Sequence, residues 1–524
     1  MDLDNLVEGD QEEIRNKVSE VRLFTVPFSL NDINQKITFN INESSQSYKK
    51  KIINKGLKFH AEGNIIEARK YYKYCISQGF NHYIVFCNYG LILKGIGRLK
   101  EARSLLQKAI KLKPESPDLH YNLGTIFIDF KNFNEAEKST RRAIKLNPAF
   151  ENAYYNLGII LINLGRLKEA EEFLLETIKI NPKNAKAYFN LSILKYSNIN
   201  LNWQENLFSK SILENQSKQD LVDIYFARAN LKHNKKNYDE SSNYLELANN
   251  LKLEINPSKA DILLKKSKTL LDKLDEGEFT NKEKSKFIET IFIVGMPRCG
   301  STLLESILGV NRKVNNLGEN SLFEESYLEH EKSISSSSKL TLLELYLQKI
   351  ECEISQNNII VDKTLYNYQY SGIIASQIME AKIIHCYRNP LDNIISIYRA
   401  NFAIGNEYSS SLVDCAKVYL DQEDIMNMYK NKFRSKIYDL NYDFLVKRPE
   451  KVIKSLISWL GWKWDDSYLS PHLNKRPVST ASSVQVRSPI NSKSIGGWMN
   501  YRDILQPSIK VLAKHAQYND LKFL

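Results

Sequence analysis

Apolar positions along the first half of the chain fall at helical spacing, and the same small residues return at one fixed period. Gly56, Gly90, Gly124 and Gly158 are each 34 residues apart, as are Ala68, Ala102, Ala136 and Ala170, and Pro114, Pro148 and Pro182. Small residues at such positions let two helices approach closely, and proline after the second helix stops it. The pattern predicts paired helices over about residues 50–183, a further unit from Ala185 and a weaker one over Phe226–Leu251. Between them, Ser197–Gln219 is rich in Asn, Ser and Gln and is expected to be a distorted unit. Residues 1–47 carry no repeat and form a leader, with a short strand expected near Val21–Phe28. From about Lys284 the texture becomes strand, turn, helix. Thr290–Gly295 is a continuous apolar run of the kind buried in a parallel sheet, followed by Met-Pro-Arg-Cys-Gly-Ser-Thr (296–302) and a helical pattern over Leu303–Leu308. Ala381–Tyr387 predicts a second buried strand, ahead of Arg388-Asn-Pro-Leu-Asp392 and a helix running through Phe402.

A period of 34 is that of tetratricopeptide repeats. The expected architecture is therefore an α-solenoid of such repeats over 48–275, followed by an α/β domain over 284–524 with a central parallel sheet and a phosphate-binding loop. A solenoid buries its core by stacking neighbours and leaves a concave face that binds proteins or peptides. Asn54, Asn88, Asn122, Asn156 and Asn190 share the period, two positions before the glycine. Stacked, they would form a ladder of amides able to hydrogen-bond an acceptor polypeptide's backbone; the competing reading is plain repeat consensus.

At 43% apolar and 26% charged over 524 residues, the composition is that of an ordinary globular protein, and no run approaches the ~20 apolar residues of a membrane span. The net charge of +12 favours anionic partners. Six cysteines without a C-x-x-C pair fit neither a disulfide framework nor a zinc site, and no metal is expected. The acidic first residues lack the basic start and apolar core of a secretory signal, so the expected compartment is the cytoplasm.

The chemistry concentrates in the second half. After the first strand, a turn closed by Gly300 and the following helix N-terminus would cradle an oxyanion with backbone N–H groups, and the Ser301 and Thr302 hydroxyls could add donors. Gly295 to Gly300 keeps the spacing of a nucleotide-binding loop, but Ser301 stands where the lysine would be and the cation has moved to Arg298. At the second strand end, Arg388 and Ser396 could converge on one phosphate, with Pro390 suited to the first helical turn and Asp392 to the positive end of the helix dipole.

These motifs resemble those of PAPS-dependent sulfotransferases (PAPS, 3′-phosphoadenosine 5′-phosphosulfate; PAP, the product 3′,5′-bisphosphate), and among them the tyrosylprotein sulfotransferases and bacterial proteins that join tetratricopeptide repeats to such a domain. The resemblance covers about residues 288–505. It implies that Pro297, Arg298, Cys299, Gly300, Ser301 and Thr302 bind the 5′-phosphosulfate, and that Arg388 and Ser396 bind the 3′-phosphate. It implies further that Tyr442 lies near the adenine, and that the segment from Ser482 through Pro489, with Ser482 and Arg487, folds over the cofactor. Ser488 stands where the tyrosylprotein pattern has lysine, and Arg487 is expected to substitute. By the same likeness Glu319 in Leu317-Gly-Glu is the base, and Lys363, after the strand Ile359–Val361, reaches the transferring group. The Gly497-Trp498 pair echoes a signature near the end of the domain.

Sulfuryl transfer resembles phosphoryl transfer, an in-line displacement whose charge spreads onto oxygens, so fixed cations are the main requirement. Arg298 and Lys363 are expected to stabilise that charge, while Glu319, its pKa raised in a dry pocket, takes the acceptor's proton. His385 is the other conceivable base, but it lies inside an apolar strand and reads as a core histidine. The expected function is a sulfotransferase whose repeats recruit an acceptor, a polypeptide among the candidates. The alternatives are a repeat scaffold with an inactive nucleotide domain and, with less support, a kinase, whose loop lysine is missing here. No nucleic-acid module and no membrane span are expected.

Overall fold

The computed structural model describes residues 43–194, 202–275, 288–333, 340–350, 359–403, 405–474 and 476–523. The strand expected near Val21–Phe28 lies outside them. The chain divides into two compact units between Ala187 and Tyr188.

The first unit is built of antiparallel helix pairs: α1 (Glu43–Ala61) with α2 (Ile65–Ser77), α3 (Tyr83–Gly95) with α4 (Leu99–Leu112), α5 (Pro117–Asp129) with α6 (Phe133–Leu146), and α7 (Glu151–Leu164) with α8 (Leu167–Ile180). Asn64 and Asn132 cap the second helices of two pairs, their side-chain oxygens accepting from the N–H of Glu67 and Glu135. The repeated glycines and alanines explain one another. A Cβ at Gly90 would stand 2.5 Å from Leu106 and 3.3 Å from the Ala102 carbonyl; one at Gly158 would meet Leu174 at 2.8 Å and the Ala170 carbonyl at 3.5 Å. Gly90, Gly124 and Gly158 thus each sit over the carbonyl of the alanine twelve residues on, and a Cβ at any of these glycines would wedge its pair apart.

The amide ladder does not lie on an open face. Asn88 and Asn122 are fully buried and Asn156 is 3% exposed. Asn88 donates to the Tyr72 hydroxyl (3.2 Å), and Asn122 points at Cys87 Sγ (3.5 Å). Only Asn54 and Asn190, at the two ends, are partly exposed. First-helix residues facing the neighbouring pair are interior, so the 34-residue recurrence of these amides reflects packing between units.

The second unit begins within α9 (Ala185–Ile193) and continues through α10 (Asn202–Phe208), the long pair α11 (Lys218–Asn234) and α12 (Tyr238–Ile255), and α13 (Ala260–Asp275). Then come β1 (Glu289–Gly295), α14 (Ser301–Leu308), β2 (Val314–Gly318), α15 (Leu322–Ser333), α16 (Leu342–Ile350), β3 (Ile359–Asp362), α17 (Ser371–Gln377), β4 (Ala381–Tyr387), α18 (Pro390–Tyr398), α19 (Leu412–Lys432), β5 (Ile437–Asn441), α20 (Tyr442–Lys447), α21 (Pro449–Leu460) and α22 (Gln506–Leu512). The five strands form one all-parallel sheet in the order β2-β3-β1-β4-β5. Leu304 and Ile307 of α14 and Ile453 and Leu456 of α21 cover one face, packing on Ile291, Ile293 and Ile384. Tyr346, Ile373, Ile374 and Met426 cover the other, over Phe292, Val294 and Ile383. Burial on both faces is why β1 reads as an unbroken apolar run.

The order of strands decides where a ligand can sit. The chain leaves β1 toward β2 on one side and leaves β4 toward β5 on the other, yet β1 and β4 are neighbours, with Gly295 opposite Cys386. Their loops therefore diverge to opposite faces and leave a crevice at the carboxyl ends, the switch point at which open α/β sheets bind ligands. No helix among the described residues is long and apolar enough to cross a membrane.

Candidate active site

The loop after β1 is held in a conformation few residues adopt. Arg298 has φ 66° and Gly300 φ 97°, so the backbone folds back before α14 starts at Ser301. At Gly300 a Cβ would stand 2.1 Å from the Tyr442 ring; glycine is required by conformation and by contact alike. Ser301 and Thr302 are buried in the first turn of α14, and Thr302 Oγ1 lies 3.2 Å from Thr480 Oγ1. The Cys299 carbonyl accepts from Cys386 Sγ (3.2 Å), and the Pro297 carbonyl accepts from Asn393 Nδ2 (2.9 Å). The loop is thus pinned to β4 and α18 before any ligand is considered.

The Arg298 guanidinium donates to Ser396 Oγ (3.1 Å), the Ala481 carbonyl (2.8 Å), Ser482 Oγ (2.5 Å) and Gln485 Oε1 (3.0 Å). Burial, with the like charges of Arg388 and Arg399, lowers its pKa to about 10. Arg388, 6% exposed, donates to the Ser494 carbonyl (2.9 Å), lies over the Tyr442 ring at 4.9 Å and leaves its buried Nε without a partner. The resemblance assigned the loop and the Arg388–Ser396 pair to different phosphates; the structure brings them into contact through Arg298 and Ser396, because β1 and β4 are adjacent strands.

Asp392 sits in the first turn of α18, the place expected of it at the positive end of the helix dipole. Asn389 caps α18, accepting from the N–H of Leu391 and Asp392. The Asp392 carboxylate also accepts from the backbone N–H of Gly496 (2.7 Å) and Trp498 (3.0 Å). Arg487 departs from expectation. Its guanidinium donates to the carbonyls of Asn474 and Arg476, both at 2.8 Å, so it braces its own segment rather than meeting Arg298 or Arg388.

A second group forms at the tips of β2 and β3. Lys363 is fully buried, and its Nζ donates to Glu319 Oε1 (2.6 Å) and lies 3.6 Å from Glu305 Oε2. Burial works against the ammonium, but Glu305 and Glu319 outweigh it and hold the pKa above its ordinary value. Glu319 itself is 55% exposed along its side chain; it is ion-paired and solvated rather than enclosed in a dry pocket. Next to Lys363, buried Asp362 accepts from the Tyr346 hydroxyl (2.6 Å) and the Thr364 N–H (2.9 Å), and burial raises its pKa. His385 is 1% exposed and takes a hydrogen bond from Gln422 on its Nε2 (2.6 Å), in keeping with a core histidine. Sequence reasoning passed over Glu305, Asn393 and Ser494. Glu305 falls one helical turn after Ser301, a spacing that could have pointed to it; Asn393, on α18, and Ser494 are revealed only by their contacts with distant strand-tip residues, for which the sequence has no periodic signal. Among the described residues no cluster of three or more His, Cys, Asp or Glu has metal-holding geometry.

Comparison with known proteins follows these features. Residues 290–466 match the sulfotransferase family; residues 90–129 match a TPR repeat, and 117–150, 151–184 and 222–254 match tetratricopeptide repeats. An uncharacterized protein of Aquifex aeolicus (strain VF5) is 32% identical over 246 residues, covering 42% of this chain and 32% of that one, so the chain spans about a third of the length of the curated relative it matches. Among solved structures, MamA is similar at 22% identity and a TM-score of 0.27, over 34% of this chain and 96% of that one. YrrB, described as a TPR protein with an unusual peptide-binding site, is similar at 19% and 0.28, over 36% and 93%. The sulfotransferase domain of the Synechococcus PCC 7002 olefin synthase is similar at 20% and 0.33, over 44% and 96%. The strand, loop and helix at residues 290–308 open the matched segment, and the chain accordingly joins tetratricopeptide repeats to a C-terminal domain that belongs to the sulfotransferase family.

Proposed function

We propose that the C-terminal domain binds PAPS at the β1–β4 switch point and passes its sulfuryl group to an acceptor hydroxyl, with a polypeptide tyrosine recruited by the repeats as the first acceptor to test. One observation carries the reading: the half-buried Arg298, itself in a left-handed loop, and the buried Arg388 bring two guanidinia together at adjacent strand tips. Asp392 pairs with Arg388 at 3.8 Å and also accepts from two backbone N–H groups, so one carboxylate stands against two guanidinium charges. Cations in excess of their paired acids are costly to bury unless an anion completes them. The orphaned Nε of Arg388 leaves a donor for an anionic ligand such as a doubly phosphorylated nucleotide.

The bound donor supplies a sulfuryl group on a phosphate leaving group. Arg388 and Ser396 hold the 3′-phosphate in this reading, Tyr442 sides with the adenosine, and the N–H groups of residues 299–302 with Arg298 hold the 5′ end. Lys363 would stabilise charge on the bridging oxygen, each cation lowering the barrier by about 3 kcal/mol as a fixed electrostatic partner. Glu319 accepts the acceptor's proton; its exposure leaves it reachable from solvent, and the hydrogen bond from Lys363 orients it. A phenol near pKa 10 asks less of such a base than an alkanol does.

Thermal unfolding with PAP and with ATP tests the donor. PAP at about 100 times its dissociation constant should add roughly 2.7 kcal/mol of stability, with ATP giving none. Radiolabelled PAPS in a lysate, resolved before and after protease, then tests the acceptor: label that survives protease removes the polypeptide acceptor and keeps the donor. Stabilisation by ATP alone would favour the kinase reading, and by neither the scaffold.

A further inference from the structure

The ammonium of Lys363 stands between two carboxylates, and the proposed transfer uses only one of them. Its Nζ lies 2.6 Å from Glu319 Oε1 and 3.6 Å from Glu305 Oε2. The two acids sit in different surroundings: the Glu319 side chain is 55% exposed and that of Glu305 12%. Charges screened by less water act more strongly on one another, and the Coulombic pull of Glu305 on Lys363 exceeds that of Glu319 although Glu305 is the more distant. Glu305 is thus a principal reason that a fully buried lysine stays charged.

Backbone contacts fix the three groups relative to one another. Glu305 lies on α14 one turn after Ser301, so it shares a short helix with the hydroxyls of the loop. The Glu305 carbonyl accepts from Asn316 Nδ2 of β2 (3.4 Å), and the Gly318 carbonyl at the tip of β2 accepts from the Lys363 N–H (3.1 Å). α14, β2 and β3 are therefore tied together beneath the side chains. The neighbouring titratable groups have contacts of their own. Asp362 accepts from Tyr346 and Thr364. Arg476, which feels the Glu305 charge, donates to the Val314 carbonyl (2.9 Å), and Tyr366, which feels that of Glu319, donates to Asn406 Oδ1 (2.5 Å).

An ion-paired carboxylate is a weaker base than a free one, so Glu319 gains basicity only as the lysine turns its donors toward charge forming elsewhere. We propose that Glu305 is a positioning residue for the transfer: its carboxylate keeps the Lys363 ammonium at the tip of β3 while the contact with Glu319 passes to the donor's bridging oxygen. The acceptor oxygen then joins sulfur, the bond from sulfur to the bridging oxygen breaks with its electron pair left on that oxygen, and the acceptor's proton goes to Glu319. Glu305 exchanges no proton and touches neither donor nor acceptor; it acts through Lys363. The proposal rests on the donor reading of the β1–β4 crevice, but the link between Glu305 and Lys363 is measurable without any ligand.

The test uses the full chain with Glu305→Gln, Glu305→Asp and Lys363→Met, and the double variant of the first and last. Without ligand, the fold favours the Lys363 ammonium, so its contribution to stability holds up to about pH 10.5 and is lost above it. Removing the Glu305 charge lets burial push the folded pKa down, and the E305Q protein then regains stability as pH rises. Its Tm deficit against wild type should shrink by about half or more between about pH 8 and about pH 10, and should disappear or reverse in the Lys363→Met background. A deficit that is level with pH and survives Lys363→Met would make Glu305 a helix-packing residue and overturn the proposal. With ligand, E305Q should bind PAP within about twofold of wild type, while label transfer from saturating radiolabelled PAPS into a lysate slows about 30-fold or more. Glu305→Asp, which restores the charge, should come back to within about fivefold of wild type. Transfer by E305Q within about threefold of wild type, loss of PAP affinity in step with rate, or no gain from Glu305→Asp would each overturn the proposal. Wild type that binds no PAP, with the pH-dependent coupling intact, would instead sink the donor assignment and leave the link between Glu305 and Lys363 standing.

Discussion

At the level of single residues, the two groups at the strand tips predict separable losses. Arg388→Ala removes a largely buried guanidinium that lies on Tyr442 and reaches Ser494; PAP affinity should fall about 30-fold or more, the worth of one or two charge-assisted hydrogen bonds. Glu319→Gln keeps the volume and leaves the β1–β4 tips untouched, so PAP affinity should hold within about twofold while kcat drops roughly a hundredfold or more, the usual scale for a general base. Calorimetric titration beside single-turnover rates separates the two, and equal loss of affinity in both variants would contradict the division. A third residue predicts a pH dependence. Burial lowers the pKa of His385 below 6.5, so the unfolded chain takes up a proton as pH falls through 6.5 while the folded chain does not. The stability this group contributes is therefore complete above about pH 6.5 and declines below it, by at most about 1.4 kcal/mol per pH unit. Denaturant midpoints between pH 7.5 and 5.5 should slope less in His385→Asn than in wild type. Arg298, Arg388 and Ser396 were legible from the sequence because each follows a strand or loop signal. Arg487 was placed by likeness to a lysine next to it, and nothing in its own neighbours says that its donors turn back onto Asn474 and Arg476.

Among the elements, the repeats were the most legible, since a glycine over an alanine carbonyl recurs with each turn of the same packing problem. The Asn positions share that period for the same reason, and this is where pattern misled: a repeat shows that a position matters to stacking, not that it faces out. The loop after β1 was readable from Gly295 and Gly300, but its lock was not, because the Tyr442 ring arrives from beyond β5. That contact yields a prediction. Gly300→Ala combines a left-handed φ with a Cβ 2.1 Å from the Tyr442 ring, whereas Gly461→Ala has a left-handed φ of 77° and nothing within 4 Å of its Cβ. Both substitutions carry about 1 kcal/mol of conformational cost. Only Gly300→Ala must also push Tyr442 off Arg388, so it should lose PAP affinity at least tenfold where Gly461→Ala keeps it. Paired Tm and PAP titrations of the two variants check this, and matching affinities would show that Tyr442 can yield without disturbing Arg388.

For the molecule as a whole, the informative boundary is the one periodicity places differently from packing. Sequence texture suggests a break near residues 275–284, where the repeats end and the strands begin, yet α11 and α12 pack into the second compact unit. Phe226, Leu245 and Ala248 share a core with Ile394, Tyr398, Leu412 and Tyr501. Polar side chains lock the same join: Asn249 donates to the Tyr398 carbonyl (3.0 Å), Lys252 to the Phe402 carbonyl (2.9 Å), Asn401 to Asp223 (2.6 Å), and the Tyr501 hydroxyl meets His233 Nδ1 (2.8 Å) and Ser241 Oγ (3.0 Å). None of these residues recurs with the repeat, so no period reveals them. A chain cut at 284 would expose that core and strand the carbonyls of Tyr398 and Phe402, at roughly 1.5–3 kcal/mol for each large apolar side chain laid bare, against a total stability of only about 5–15 kcal/mol. Residues 188–524 should therefore express as a folded species with a cooperative melt and retain PAP binding, while residues 284–524 should aggregate or melt without cooperativity. A soluble, cooperative and PAP-binding 284–524 would mean that α11 and α12 only rest on the sulfotransferase-family domain. In that case the helix carrying Ser396 and Asp392 would owe its position to the sheet alone.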